Sequence, residues 1–166
     1  YTNDELEYFK NFNYNWVDEA WKQPVVTKHS LNVNGGTDIV RFFVGGNYLY
    51  ETGSFDNLSF EKYNFKGNID VNITKDLVVG LNLATDVRND DKPFWRWDSD
   101  KDEMPDLYKG LLFRSQMTPA YMDGKAVREV GGTTVVEWSP MEVINGSTGF
   151  NKKKYTTSEM TATVLY

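Results

Sequence analysis

The 166 residues carry 24 acids against 18 Lys and Arg, a net charge of −6 and a pI near 4.8, which excludes the surplus of positive charge that general nucleic-acid binding needs. With no cysteine, a disulfide framework, a thiolate metal site and a thiol nucleophile are all excluded. Ten Tyr, ten Phe and thirteen Gly beside a single His point to an all-β chain of strands and turns.

In chain order, the first alternating stretch is HSLNVN, which sets Leu31 and Val33 against Ser30, Asn32 and Asn34. Gly35, Gly36 and Thr37 predict a tight turn. DIVRFFVGGNYLYE follows, with Val40, Phe42, Val44, Gly46, Tyr48 and Tyr50 on one side; Phe43 and Leu49 are exceptions on the other. After the longer connection TGSFDNLS comes FEKYNFKGNIDVNI. There Tyr63, Phe65, Gly67, Ile69, Val71 and Ile73 oppose Lys62, Asn64, Lys66, Asn68, Asp70 and Asn72 without exception. A second tight turn, Thr74 to Asp76, leads into LVVGLNLATDVRN, and a fifth strand is expected in YTTSEMTATVLY after a long insert, residues 90–153. Short turns at one end and long loops at the other match the pattern of an outer-membrane barrel, whose alternating strands escape the criterion of about 18 consecutive apolar residues that marks a spanning helix. Tyr48, Tyr50, Tyr63 and Phe65 fall near the long-loop end, where an interfacial girdle would lie; they fit the core of a sandwich equally well.

Within the insert, DEMPDLYKGLLFRSQM predicts a short helix, with Pro105 in its first turn and Leu107, Leu111, Leu112 and Met117 near helical spacing. Phe94, Trp95, Arg96 and Trp97 form the sharpest cluster. Their flat apolar faces and guanidinium suit stacking on a ligand and bonding its oxygens, or equally packing within the loop or against a partner. Asp98, Asp100 and Asp102 are spaced like the start of a calcium loop, but Glu103 and Lys109 stand where its Gly and bidentate Glu belong, so residues 98–106 read as a solvated acidic loop and no metal site is assigned. Glu137 and Glu142 are an arbitrary carboxylate pair among many, and His29 has no second His or nucleophile motif beside it, so no catalytic residue is assigned. The sequons at Asn57, Asn72 and Asn145 carry no functional weight.

TKHSLNVNGGTDIVRFFVGGNYLYETGSFDN and FEKYNFKGNIDVNITKDLVVGLNLA together resemble the early barrel of SusC/RagA-type TonB-dependent transporters. Leu31 to Gly36 resembles that family's Gly-Gly turn, and Phe60 to Asn68 its F-x-R-Y-N-F-R-x-N strand, with Lys62 and Lys66 in place of the arginines. SQMTPAYMDGK is similar to its T-P…D-G stretch and WSPME to its N-P stretch, with Ser139 replacing the Asn; the likeness covers about residues 15–166.

The resemblance implies an antiparallel meander forming part of a transmembrane β-barrel of about 22 strands, with a long external loop containing a short helix. It divides the chain into the end of an external loop (1–24), four barrel strands (25–89), a long external loop (90–153) and a fifth strand (154–166), the plug lying outside these residues. It further implies an outer-membrane importer of a Gram-negative bacterium, not an enzyme and without a cofactor. Its expected partners are TonB acting through the plug, a SusD-like surface lipoprotein, the lipid bilayer and an oligosaccharide or peptide substrate. On that reading Ile69 and its companions face lipid while Asn68 and its companions face a hydrated lumen. The alternatives are a soluble carbohydrate-binding β-sandwich with Trp95 and Trp97 as its platform, and a glycoside hydrolase domain.

Overall fold

The computed structural model describes residues 2–94, 104–128, 130–131, 134–135 and 139–166. In chain order the elements are α1 (Asn3–Lys10), α2 (Trp16–Ala20), β1 (Val26–Gly36), β2 (Val40–Thr52), β3 (Ser59–Thr74), β4 (Leu77–Pro93), α3 (Met104–Leu112), β5 (Tyr121–Met122), β6 (Lys125–Ala126), β7 (Val130–Gly131), β8 (Thr134–Val135), α4 (Pro140–Ile144) and β9 (Phe150–Leu165). They divide into two compact units, one of Tyr1–Gln23, Gly53–Leu58 and Lys92–Asn151, the other of Pro24–Thr52, Ser59–Asp91 and Lys152–Tyr166.

The second unit is one sheet in the order β1-β2-β3-β4-β9, the antiparallel meander that the alternation predicts. Lys152 pairs with Asp91 at 3.1 Å and Thr85 Oγ1 meets Ser158 Oγ at 3.3 Å, so β9 runs antiparallel to β4. The first tight turn sits later than its glycines suggest. β1 continues through Gly35 and Gly36, which face Phe42 and Arg41, and the reversal falls at Thr37, whose hydroxyl accepts the N–H groups of Ile39 and Val40 at 3.2 Å. Gly36 does not have a positive φ; a Cβ there would stand 2.6 Å from the Val40 carbonyl oxygen, so close approach of backbone is what requires glycine.

The first unit holds the hydrophobic core. Trp16 and Ala20 of α2, Phe55, Leu107 and Leu111 of α3, Ala120, and Met141, Val143 and Ile144 of α4 are buried together. Each piece arrives with its local signals. Thr2 and Glu5 form a capping box on α1, and Asn15 caps α2 through the N–H groups of Val17 and Asp18. Trp16 donates its indole N–H to the Thr118 carbonyl at 2.8 Å, and Asn57 Nδ2 donates to the Ile144 carbonyl at 2.9 Å, which closes segments distant in sequence onto one another. The Asp-Gly pair of the MDGK stretch is a turn in which both Asp123 (φ 52°) and Gly124 (φ 74°) are left-handed, the geometry of a two-residue hairpin between β5 and β6. The expected helix is α3. It buries Leu107 and Leu111, while Leu112 is exposed and Met117 lies beyond the helix end.

Candidate functional site

Register places the apolar side chains of the sheet on one face in continuous rows. Leu31, Gly46, Phe65 and Thr85 stand side by side across four strands; Val33, Val44, Gly67 and Leu83 form the next row; Phe42, Ile69 and Leu81 the next; Val40, Val71 and Val79 another. Because Ser158 meets Thr85, alternation sets Met160, Ala162 and Val164 on this face too. These side chains lie open, with Leu31 73%, Phe65 50% and Met160 72% exposed. All the buried hydrophobic residues among the described ones belong to the first unit, so the sheet's oily face is not covered by any core of its own.

Toward the long-connection end the rows become aromatic and then polar. His29 stacks on Tyr48 (centroids 6.3 Å, planes 9° apart), and Tyr48 packs on Tyr63 at 4.9 Å. One row further, Tyr50 stands opposite Glu61, whose carboxylate accepts from Asn89 Nδ2 at 3.2 Å and from the Tyr63 hydroxyl at 3.4 Å. Aromatic rings thus stand between the apolar rows and the polar end of this face.

The opposite face carries hydrogen-bonding chemistry. Lys66, Asn68, Asn82, Glu159 and Thr161, from three strands, line one hollow. Lys62 lies directly opposite Arg88, a like-charge pair offset by Lys62–Asp86 at 3.8 Å and Arg88–Asp90 at 2.9 Å. The Arg88 guanidinium also lies 5.0 Å from the Phe60 ring centre and 5.8 Å from that of Tyr155. Asn68 Oδ1 and Asp86 Oδ1 are buried acceptors without a hydrogen bond, a cost that a donor from outside these residues would relieve. Alternation marks these residues as polar, but only register gathers them.

Of the four residues expected to bind substrate, Phe94 is described; Trp95, Arg96 and Trp97 lie outside the described residues, as do most of the acidic stretch 98–106 and Glu137. Phe94 is tied to the end of the insert: its N–H donates to the Gly149 carbonyl at 2.9 Å, and its own carbonyl accepts from the Thr148 hydroxyl. Glu142 is occupied structurally. It accepts the Ser139 N–H at 3.2 Å and is held by Arg128, with Nε and Nη2 each 3.0 Å from Oε1. Ser139, standing where the resembled motif has Asn, buries a hydroxyl that makes no hydrogen bond among the described residues. Among the described residues no three His, Asp or Glu gather as metal ligands.

A two-faced antiparallel sheet with an exposed apolar side accords with the class the comparisons indicate: the chain has distant, partial homology to a protein of the TonB-dependent receptor family. That relative is TonB-dependent receptor P3 of Formosa agariphila, 34% identical over 71 residues. The match covers 43% of this chain and 7% of the relative, so the chain spans a small fraction of that protein's length. No protein-family model matches the chain.

Proposed function

We propose that these residues are part of the wall and external mouth of an outer-membrane importer of the SusC/RagA type, which draws energy from TonB and works with a SusD-like lipoprotein to take in oligosaccharides or peptides. The observation that carries this reading is the continuous exposed apolar face of the sheet, bordered by His29, Tyr48 and Tyr63. In water, rows of exposed Leu, Val, Phe and Ile would draw the sheet into aggregates; against lipid they are its proper solvent. A soluble sandwich, by contrast, buries one face of each sheet in a shared core. β1 and β9 each have one neighbour among the described residues, and further strands of a closed barrel would pair their free edges. The polar face, where Asn68 Oδ1 accepts no hydrogen bond among the described residues, suits a hydrated lumen occupied by a plug. On this reading the chain performs no covalent chemistry, and Phe94 with Trp95, Arg96 and Trp97 contributes to ligand capture.

The test uses single cysteines at positions 68 and 69, introduced into the complete protein in lipid vesicles and labelled with a polarity-sensitive dye; these 166 residues add no thiol background. A lipid-borne quencher should extinguish the dye at 69 and spare that at 68. Equal quenching at both would refute the assignment of faces, and quenching at neither would return the sheet to a soluble protein.

A further inference from the structure

β2 carries two adjacent glycines, and only one of them is required by its surroundings. A Cβ on Gly45 would stand 2.7 Å from Asn32 Oδ1 and 2.9 Å from the Phe43 ring, whereas one on Gly46 would meet nothing nearer than the Asn64 carbonyl oxygen at 3.8 Å, an ordinary contact. Nor does Gly46 have a positive φ. Glycine weakens a strand interior, and one that neither φ nor crowding requires marks a place where something else approaches the backbone closely. Above Gly46 the apolar face is hollow, with about 490 Å³ of open space. Leu31 and Phe65, opposite Gly46 on the flanking strands, form two walls, and the next row toward the long connections, His29, Tyr48 and Tyr63, forms the end.

We propose that this hollow holds one acyl chain of a phospholipid in a fixed place, with the lipid's head group at the end formed by His29, Tyr48 and Tyr63. The walls stand two strands apart, about 9.6 Å between backbones, and a hydrocarbon chain touching carbon on both sides needs about 7 to 8 Å. One chain fits. The floor offers it nothing polar: the backbone groups of a central strand are engaged in the ladders on either side, and Thr85, in the same row, has its hydroxyl 3.3 Å from that of Ser158. A peptide or a sugar laid there would bury polar groups without partners. At the end of the hollow the chemistry changes, with the His29 imidazole on one strand and, on the next but one, the Tyr63 hydroxyl 3.4 Å from Glu61, which also accepts from Asn89. The occupant these ends suit is a long apolar chain with one polar terminus, which a phospholipid is and a second apolar sheet is not. The site rests on the importer reading, which puts this face in lipid, and deepens it by fixing one lipid at one place.

The experiment uses the complete protein in a bile-salt-type detergent, which has no alkyl chain to fill the hollow, and a phosphatidylcholine carrying a photoreactive diazirine on its acyl chain. At equimolar lipid, cross-links should gather on Leu31 and Phe65 rather than on Met160 and Val164, which lie exposed on the same face. Gly46→Leu fills the floor and should weaken lipid capture about tenfold, equivalent to about 1.4 kcal/mol. Gly46→Ala should keep most of it, as should Gly67→Leu, where a Cβ also has room but outside the hollow. Phe65→Ala, which removes a wall instead of filling the floor, should weaken capture severalfold. Cross-links spread evenly over the face, or equal capture by Gly46→Leu and Gly67→Leu, overturn the proposal. The dye-quenching measurement separates the two readings: quenching at 69 with evenly spread cross-links defeats only the lipid site, whereas capture at the hollow without quenching defeats the importer and leaves a soluble lipid-binding protein.

Discussion

Placing an arginine on each face of β3 in turn measures the asymmetry of the sheet directly. From Tyr63 to Ile73 the apolar face advances ten residues. At about 3.4 Å per residue and a tilt of about 40° this spans about 26 Å of height, close to the apolar band of about 25 Å in outer-membrane barrels. Ile69, between Phe42 and Leu81 in register, then lies about 16 Å from the Tyr63 level and about 10 Å from the Ile73 level, in the middle third of the band. Arg on the lipid face near the midplane costs about 2 to 4 kcal/mol, and some relief by snorkelling sets the expectation for Ile69→Arg at about 2 to 3 kcal/mol. Asn68→Arg, one residue away beside Phe43 and Asn82 on the polar face, should cost under about 1 kcal/mol. The difference, about 1 to 3 kcal/mol, amounts to about 5- to 150-fold in the folding equilibrium, readable from urea unfolding of the complete protein in vesicles. If Asn68→Arg proves as costly as Ile69→Arg, or if Ile69→Arg has no cost, the outward face is not in lipid.

Trp16→Ala removes the largest buried side chain of the first unit together with its bond to Thr118, and should cost about 3 to 5 kcal/mol. Hydrogen exchange should lose protection in α3 and α4 while β2 and β3, which contribute nothing to that core, keep theirs; loss of protection throughout would refute the division of labour. Burial, and then the carboxylates of Asp56 and Glu19, raise the Tyr121 phenol against the opposing effect of Lys22, so it should titrate above its ordinary value of 10.0, and Asp56→Asn should lower its midpoint, as read by tyrosinate absorbance against Tyr121→Phe. Since the folded pKa is the raised one, its contribution to stability is complete below the unfolded value and is lost as pH climbs through the folded one. A midpoint unmoved by Asp56→Asn would deny the carboxylate its part.

The sheet was legible because a pleated backbone writes its two faces into alternate residues. FEKYNFKGNIDVNI fixes β3 to within a residue at each end, and Phe43 and Leu49 broke the pattern of β2 without displacing it. The Gly-Gly turn misled, because glycine serves close approach as well as reversal, and only the distance from Gly36 to the Val40 carbonyl tells which. The first unit's core was beyond local reading. Apart from Leu107 and Leu111, which the helical spacing of α3 marked, its buried residues come from five-residue helices and short connections too brief to show a period, and nothing in the order of residues announces that Trp16 will meet Thr118. Trp21 shares that opacity, since it is an ordinary aromatic until Phe55 is brought beside it.

The bond from Trp16 to Thr118 spans 102 positions of sequence, and the one from Asn57 to Ile144 spans 87. Everything between the ends of such a contact must be synthesised and brought back before the contact can form, and the entropy of closing so long a loop is spent before any packing is gained. Local hairpins have no such delay: β3 and β4 meet across two residues, Lys75 and Asp76. The globule therefore completes late, after the hairpins that shorten the loops between its pieces, and α2 waits with its tryptophan uncovered until α3 and α4 arrive. That interval, in which Trp16 is exposed on a half-built chain, is when a chaperone or a protease would find it.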